Sequence, residues 1–379
     1  MKRILAAAVG IALLGLLPLS AGAATLAEAG KSAVLMDVTT GTVLYEHNSH
    51  EALAPASVTK VMTMLLIMEA VDSGKIALTD TVTASEAAAA KGGSQIYLKA
   101  GETMSVSDML KSIAVSSAND CACAMAEHIC GSEGAFVEAM NRRAKELGMQ
   151  DTHFVNCTGL TAEGHVTSAH DIALMSRELL LHHPEVRNYT TIWMDTLRDG
   201  TFGLSNTNKL IRFYDGATGL KTGFTREAGY CISATAERDG MELIAVIMKG
   251  ATADSRNADA KALLNYGFST YALVSAAPEE PLPALPVSMG ETEQVSLTLP
   301  EEGVTALVEK ARANTLERRI ELPESLTAPV AVEQPVGTLT LLDGETEVLT
   351  VPILAAEDVP RRSWGSLFVQ LLRTASFVR

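Results

Sequence analysis

The stretch that most limits what this chain can become is Ala54-Pro55-Ala56-Ser57-Val58-Thr59-Lys60, which runs straight into an apolar segment at 61–71. Pro55 fixes φ just ahead of good helix formers (Met62, Met64, Leu65, Leu66, Met68, Glu69, Ala70), so a helix is expected from about Ser57 to near Ser73-Gly74. Residues three apart lie on one helix face, which brings the Lys60 ammonium nitrogen within reach of the Ser57 hydroxyl. That is the geometry of a nucleophile beside its base. A serine hydroxyl is a poor nucleophile at neutral pH, and a lysine accepts its proton only where burial or a second cation lowers the lysine pKa. The apolar run offers the burial. Free backbone N–H groups at the helix start also suit an oxyanion developing on an attacked carbonyl. The plain alternative is a helix N-cap followed by a surface lysine, a spacing that occurs on the order of once by chance in a chain this long.

The wider composition narrows the setting. The 379 residues are 47% apolar, enough for two or three domains with a sizeable core. Met1-Lys2-Arg3, an apolar run at 4–17, Pro18 and the small residues Ala21-Gly22-Ala23 read as a secretory signal peptide at residues 1–23, with a retained anchor as the lesser alternative. The net charge of -15 argues against nucleic acid as a partner, since no basic patch precedes the last twenty residues. Five cysteines (Cys121, Cys123, Cys130, Cys157, Cys231) make no legible disulfide framework and carry no metal-ligand spacing, so zinc is not expected. Most read as small core residues.

Taken in order, residues 32–37 and 42–46 read as a hairpin around Thr39-Thr40-Gly41. Ser107-Asp108 is expected to cap a helix at 109–115, the loop 116–120 to interrupt, and a helix to resume at 122–128. Further helices are expected at 133–147, stopped by Gly148, and at 172–181, opened by Ser168-x-x-Asp171. Residues 230–237 and 242–249 read as strands about the turn Arg238-Asp239-Gly240, and 256–268 as a helix.

Two more stretches give Ser57 partners. Ser117-Ala118-Asn119 offers a hydroxyl and an amide on an interhelical loop. Lys221-Thr222-Gly223 is placed just before a strand, where Gly223 would let a substrate approach the backbone and Lys221 and Thr222 would hold an anion. Each alone is ordinary, a turn and a strand entry. In the order Ser57-x-x-Lys60, Ser117-x-Asn119, Lys221-Thr222-Gly223, chance is a poor explanation, and the triplet resembles the one that penicillin-binding proteins and class A β-lactamases carry with Ser-Asp-Asn in the middle.

With these residues in view the chain resembles the low-molecular-mass penicillin-binding proteins, serine-type D-alanyl-D-alanine carboxypeptidases. The resemblance extends to Glu146-Leu147-Gly148-Met149, Thr152-His153-Phe154-Val155-Asn156 and Gly219-Leu220-Lys221-Thr222-Gly223-Phe224-Thr225. It implies an α/β (α+β) serine transpeptidase/β-lactamase-like catalytic domain, with an antiparallel sheet flanked by helices. It also implies Ser57 as the acylated nucleophile, Lys60 as its base, and Ser117 and Asn119 as substrate-positioning and proton-relaying groups. Lys221 would keep the site electropositive, Thr222 and Arg256 would bind the terminal carboxylate, and the backbone N–H groups of Ser57 and Phe224 would form the oxyanion hole. The implied partners are peptidoglycan stem peptides and β-lactam antibiotics, the implied reaction requires no metal or organic cofactor, and the implied place is the outer face of the cytoplasmic membrane. Three positions depart from the family pattern: Ala118 stands where glycine is frequent, Phe224 where histidine is common, and Cys157 where proline is usual.

Beyond the proline-rich stretch 278–286 the pattern changes to strand-like alternation at 294–299, 320–322, 330–333, 338–342 and 347–353. The expected division is a catalytic domain at residues 24–277 and a small all-β sandwich at 278–357. At residues 358–379, Trp364, Leu367, Phe368, Leu371, Leu372, Ala375 and Val378 fall on one helical face beside Arg361, Arg362, Arg373 and Arg379. Gln370 and Arg373 interrupt any membrane-spanning run, so an interfacial amphipathic anchor is expected, with a helix packed on the sandwich as the alternative. Other readings stay open. A DD-endopeptidase is the close rival. A β-lactamase lacks its acidic deacylation loop here, and a non-catalytic wall-binding scaffold would be expected to have lost a motif residue.

Overall fold

In the computed structural model, which describes residues 26–365 and residue 368, the strand Met241–Gly250 is the centre of the larger domain. It is buried at all but one position because it lies inside a sheet covered on both faces, which explains a continuous apolar run where an alternating one would mark a half-exposed strand. Ile244, Val246 and Met248 share one core with Val34 and Met36, while Leu243, Ala245 and Ile247 share another with Ala33 and Leu35. The sheet is antiparallel and five-stranded, in the order Val43–His47, Ser32–Asp37, Met241–Gly250, Gly229–Arg238, Ala217–Thr225. The expected turn at Arg238 is a two-residue connection in which Asp239 and Gly240 both have positive φ, the arrangement that matches strand twist.

Helix Ala253–Thr270 packs on one face through Ala260, Leu263, Leu264 and Phe268. The other face carries Lys60–Asp72 and Ala169–His182, with Val106–Ser116, Asn119–Cys130 and Glu133–Glu146 in the same core. Lys60–Asp72 is buried nearly all round, as its unbroken apolar sequence requires. Ser168 caps its helix by accepting from the Asp171 N–H at 3.2 Å. The cap of Val106–Ser116 is Ser105, not Ser107: the Ser105 hydroxyl accepts from the Asp108 N–H, and the helix therefore starts a turn earlier than the apolar spacing implied.

The smaller body is mostly β, with one short helix, Lys310–Ala313, that the strand-like alternation did not announce. Pro335–Asp343 and Thr346–Ala355 form its long hairpin, flanked by Glu317–Glu321 and Leu297–Thr298, and a three-stranded sheet of Gln294–Val295, Leu285–Ser288 and Leu326–Thr327 completes the pair of layers. The expected strand at 294–299 is two short strands in different sheets, because the chain crosses between layers at Ser296. The expected strand at 330–333 is only a bridge from Val330 to Val359. Tyr271–Ser275 precedes the proline-rich stretch and pairs with Thr305–Glu309 beyond it. Arg361 likewise bridges to Gly290, so extended chain continues past residue 358, where the sequence suggested a helix. The expected signal peptide and residues 366–367 and 369–379 of the expected anchor lie outside the described residues. Trp364 and Phe368 are exposed, and among the described residues no helix is long and apolar enough to cross a membrane.

Candidate active site

Ser57 sits in a short 3-10 turn, Ala56–Thr59, that passes directly into the buried helix Lys60–Asp72. Lys60 is fully buried at the first position of that helix, with its Nζ 3.1 Å from Ser57 Oγ and donating to the Thr158 carbonyl at 2.7 Å. Burial pushes the Lys60 amine down to about 7, against weaker opposing pulls from Cys157 and Asp120. A lysine with that pKa is substantially neutral at physiological pH. Its lone pair is then free for the Ser57 proton, while the Thr158 carbonyl holds one of its N–H bonds.

The turn is wedged between two glycines. A Cβ at Gly159 would lie 1.8 Å from the Ala56 carbonyl oxygen, and one at Gly223 would lie 2.8 Å from the Pro55 oxygen and 3.0 Å from Ser57 N. Gly223 is therefore required by the fold itself, since it lets the strand Ala217–Thr225 press against the turn that carries Ser57. The close approach that Gly223 permits here is that of the turn backbone. Ala56, between the wedges, has φ 49°, a left-handed conformation that costs a non-glycine residue energy and persists only where its surroundings enforce it.

Ser117 occupies the left-handed junction (φ 61°) between two helices, and Asn119 opens the second of them. The Asn119 amide donates to the Gly92 carbonyl and its backbone N–H to the Ser94 carbonyl, both at 2.7 Å. Ser117 Oγ and Asn119 Oδ1 are buried without a hydrogen-bond partner among the described residues. Buried polar atoms are rarely left so, and when they are, the exception calls for an explanation.

Lys221, Thr222 and Gly223 lie within the strand Ala217–Thr225, not ahead of it. The reason is that the small residues Gly219 and Gly223 are needed for close packing and do not end the ladder. Lys221 is buried and donates to the Thr222 carbonyl at 2.9 Å. Burial first, then the charges of Lys60 and Arg256, push its amine well below the usual lysine range. The Thr222 hydroxyl donates to Thr207 Oγ1 at 2.7 Å. Arg256, buried on helix Ala253–Thr270, donates to the Cys231 carbonyl and to Asn257 Oδ1, leaving part of its fork unspent. Phe224 is more than half exposed, its ring 4.4 Å from that of Tyr230.

Several supporting residues escaped sequence reading. Thr158 owes its place to Asn156, whose side-chain oxygen accepts from Thr158 N, Thr158 Oγ1 and Gly159 N, an Asx-type turn that the Asn-x-x-Gly spacing could have announced. The Glu133 carboxylate receives the backbone N–H of Cys157 at 3.4 Å and its thiol at 3.3 Å, while Lys91 pairs with it from the other side. Proline at 157 would supply neither donor. The buried Asp120 carboxylate accepts from the N–H groups of Ile96, Leu98 and Cys121, fixing the loop whose carbonyls grip Asn119.

A part-buried serine beside a fully buried lysine, under the edge strand of an antiparallel sheet flanked by helices, defines a serine acyl-transfer enzyme of the penicillin-binding class. Residues 20–252 match the family model described as D-alanyl-D-alanine carboxypeptidase, and residues 270–361 match that of the penicillin-binding protein 5 C-terminal domain. The chain is 46% identical over 342 residues to the D-alanyl-D-alanine carboxypeptidase DacF of Bacillus subtilis (strain 168), covering 89% of this chain and 87% of that protein. Its structure is similar to that of penicillin binding protein 5 from Haemophilus influenzae (TM-score 0.76, 28% identity, 88% and 98% of the two chains). It is also similar to the ampicillin-bound penicillin-binding protein D2 of Listeria monocytogenes (TM-score 0.58, 34% identity, 63% and 98%). The protein belongs to the D-alanyl-D-alanine carboxypeptidase family, and its second body is a penicillin-binding protein 5 C-terminal domain.

Proposed function

We propose that this protein removes the terminal D-alanine from peptidoglycan stem pentapeptides through an acyl-enzyme on Ser57, and that β-lactams acylate the same serine. The observation that carries this reading is the fully buried Lys60 amine, 3.1 Å from Ser57 Oγ and lowered to about 7. Neutral Lys60 takes the Ser57 proton as Oγ attacks the carbonyl of the penultimate residue. The tetrahedral oxyanion is received by the backbone N–H groups of Ser57 and Phe224. The C–N bond then breaks, and the leaving D-alanine amine takes a proton passed from Lys60 by way of Ser117. Water, deprotonated in turn by the same lysine, attacks the ester and releases the tetrapeptide.

Ser117 Oγ and Asn119 Oδ1 have the spare hydrogen-bonding capacity that substrate amides would use. We assign the free carboxylate of the substrate to Lys221 and Thr222, the Thr222 hydrogen turning from Thr207 Oγ1 to the substrate and the bound anion drawing a proton back onto the depressed Lys221 amine, with Arg256 contributing its charge from behind. The extensive identity with a full-length carboxypeptidase supports this reading over the endopeptidase one. We place the catalytic domain at residues 24–277, the β-sandwich at 278–357 and the membrane-surface anchor within 358–379, its helical part beyond Arg361. With a signal peptide at 1–23, the enzyme would be exported and work at the outer face of the cytoplasmic membrane. The test is D-alanine release from a pentapeptide stem set against cleavage of crosslinked dimers. Faster cleavage of the dimers would overturn the carboxypeptidase reading in favour of an endopeptidase.

A further inference from the structure

Behind the nucleophile turn lies a side-chain chain that the mechanism above does not use. His165 is buried, and its Nδ1 lies 2.9 Å from the backbone N–H of Val155, so that nitrogen is an acceptor and carries no proton. The proton of the neutral ring is then on Nε2, which donates to Thr59 Oγ1 at 2.8 Å. A hydroxyl has one hydrogen, and that of Thr59 is donated to the Ala56 carbonyl at 2.9 Å. Every proton in the series therefore has one direction, from Val155 N–H through His165 and Thr59 to Ala56. The carbonyl at its end belongs to the residue held at φ 49° immediately before Ser57, and it is the same oxygen that excludes any side chain from Gly159.

We propose that His165 and Thr59 are positioning residues for acylation: together they hold the strained Ala56 peptide, and so aim the Ser57 Oγ and N–H at the substrate carbonyl. This rests on Ser57 being the nucleophile. The strain supplies the reason for the device. A left-handed alanine relaxes unless its peptide plane is fixed, and relaxation of Ala56 rotates the peptide whose nitrogen is Ser57 N. A second proton on His165 would point Nδ1–H at Val155 N–H, so the series works only with a neutral ring. Burial, then the neighbouring His153, keep it neutral by lowering its pKa to about 4. The groups around the ring are His153, the Phe154 ring with its centroid 5.8 Å away, and Glu227, which lines the same small crevice with Pro55 and Gly159.

The experiment uses the full chain and a fluorescent penicillin, with acylation rate, reversible affinity and thermal melting measured separately. Thr59→Val keeps the shape and removes the hydroxyl; Thr59→Ser keeps the hydroxyl; His165→Gln removes the ring. Thr59→Val is expected to slow acylation by about tenfold with reversible affinity unchanged, and Thr59→Ser to restore it. The double variant Thr59→Val/His165→Gln is expected to be no slower than either single one, as for links of one series. Wild-type acylation rates in folded Thr59→Val, or fully additive losses in the double variant, would overturn the proposal. If His165→Gln does not fold, the Thr59 pair decides alone. Label on a serine other than Ser57 in the wild-type protein would instead remove the functional reading on which this rests.

Discussion

The two bodies of this molecule handle polar side chains in opposite ways. In the larger one Lys60, Lys221, Asp120, Asp171 and Arg256 are all buried, Ser117 Oγ and Asn119 Oδ1 have no hydrogen-bond partner among the described residues, and Ala56 beside Ser57 is held left-handed. In the smaller one, among the described residues beyond 277, Thr340 is the one buried polar residue, and it lies beside Thr350 across the hairpin. Burying charge without full pairing costs stability, so it persists where chemistry needs it. The large core pays for an activated lysine; the sandwich keeps only the structural rules of a β-layer and carries its charges outside.

The comparison predicts that catalysis fails sharply at a few buried positions. The largest effect is expected for Ser57→Ala, which should lose covalent penicillin labelling altogether and lower D-alanine release by on the order of 10⁴ or more. Peptide mass mapping of the adduct checks this, and an adduct on another serine would break the assignment. Next is Lys60→Arg. Arginine does not deprotonate in proteins, so acylation should be abolished while circular dichroism shows the fold intact. In the wild-type enzyme the acylation rate should rise as pH climbs through about 7, because the neutral amine is the active form. A flat profile from pH 6 to 8 would mean that Lys60 is not the base.

A smaller effect sharpens the contrast through stability. The folded His165 has a pKa of about 4 against about 6.5 when unfolded, so the unfolded state binds the extra proton between those values. The stabilising contribution is full above pH 6.5 and is lost as pH falls to 4, by about 3 kcal/mol in total. Urea unfolding at pH 7 and pH 4.5 should therefore show a drop that is smaller in His165→Gln. Equal drops in the two proteins would show that the ring is already charged in the folded state.

The sequence made the motifs legible because spacing on a helix, turn chemistry and apolar runs are local. Ser57 beside Lys60, the Asp239-Gly240 turn and the cap at Ser168 all follow from neighbours a few residues apart. What escaped was set by distant parts of the chain. Glu133 reaches Cys157, His165 reaches Thr59, and Gly223 exists to admit Pro55, and none of these pairings leaves a periodic trace. The Lys-Thr-Gly stretch was misplaced for a related reason. Glycines usually end strands in sequence, but here two of them continue one, because the Thr190 and Thr235 side chains press on Gly219 and the backbone of the Pro55–Ser57 turn presses on Gly223. In the sandwich, short strands that change layers gave alternation without revealing which sheet each would join.

The smallest expected catalytic effect lies at the chain end. Trp364 and Phe368 stand exposed, four residues apart, which on a helix is one face, and Arg361 and Arg362 precede them in an otherwise acidic chain. An apolar stripe beside arginines is suited to an anionic lipid surface, where buried apolar area and headgroup attraction add. Because every residue of the candidate site precedes residue 257, removing residues 362–379 should leave D-alanine release from a small soluble substrate nearly unchanged. The truncated protein should move from the membrane pellet to the soluble fraction. Continued sedimentation with membranes would place the attachment elsewhere, and a lost melting transition would show that the segment packs on the sandwich as a structural element.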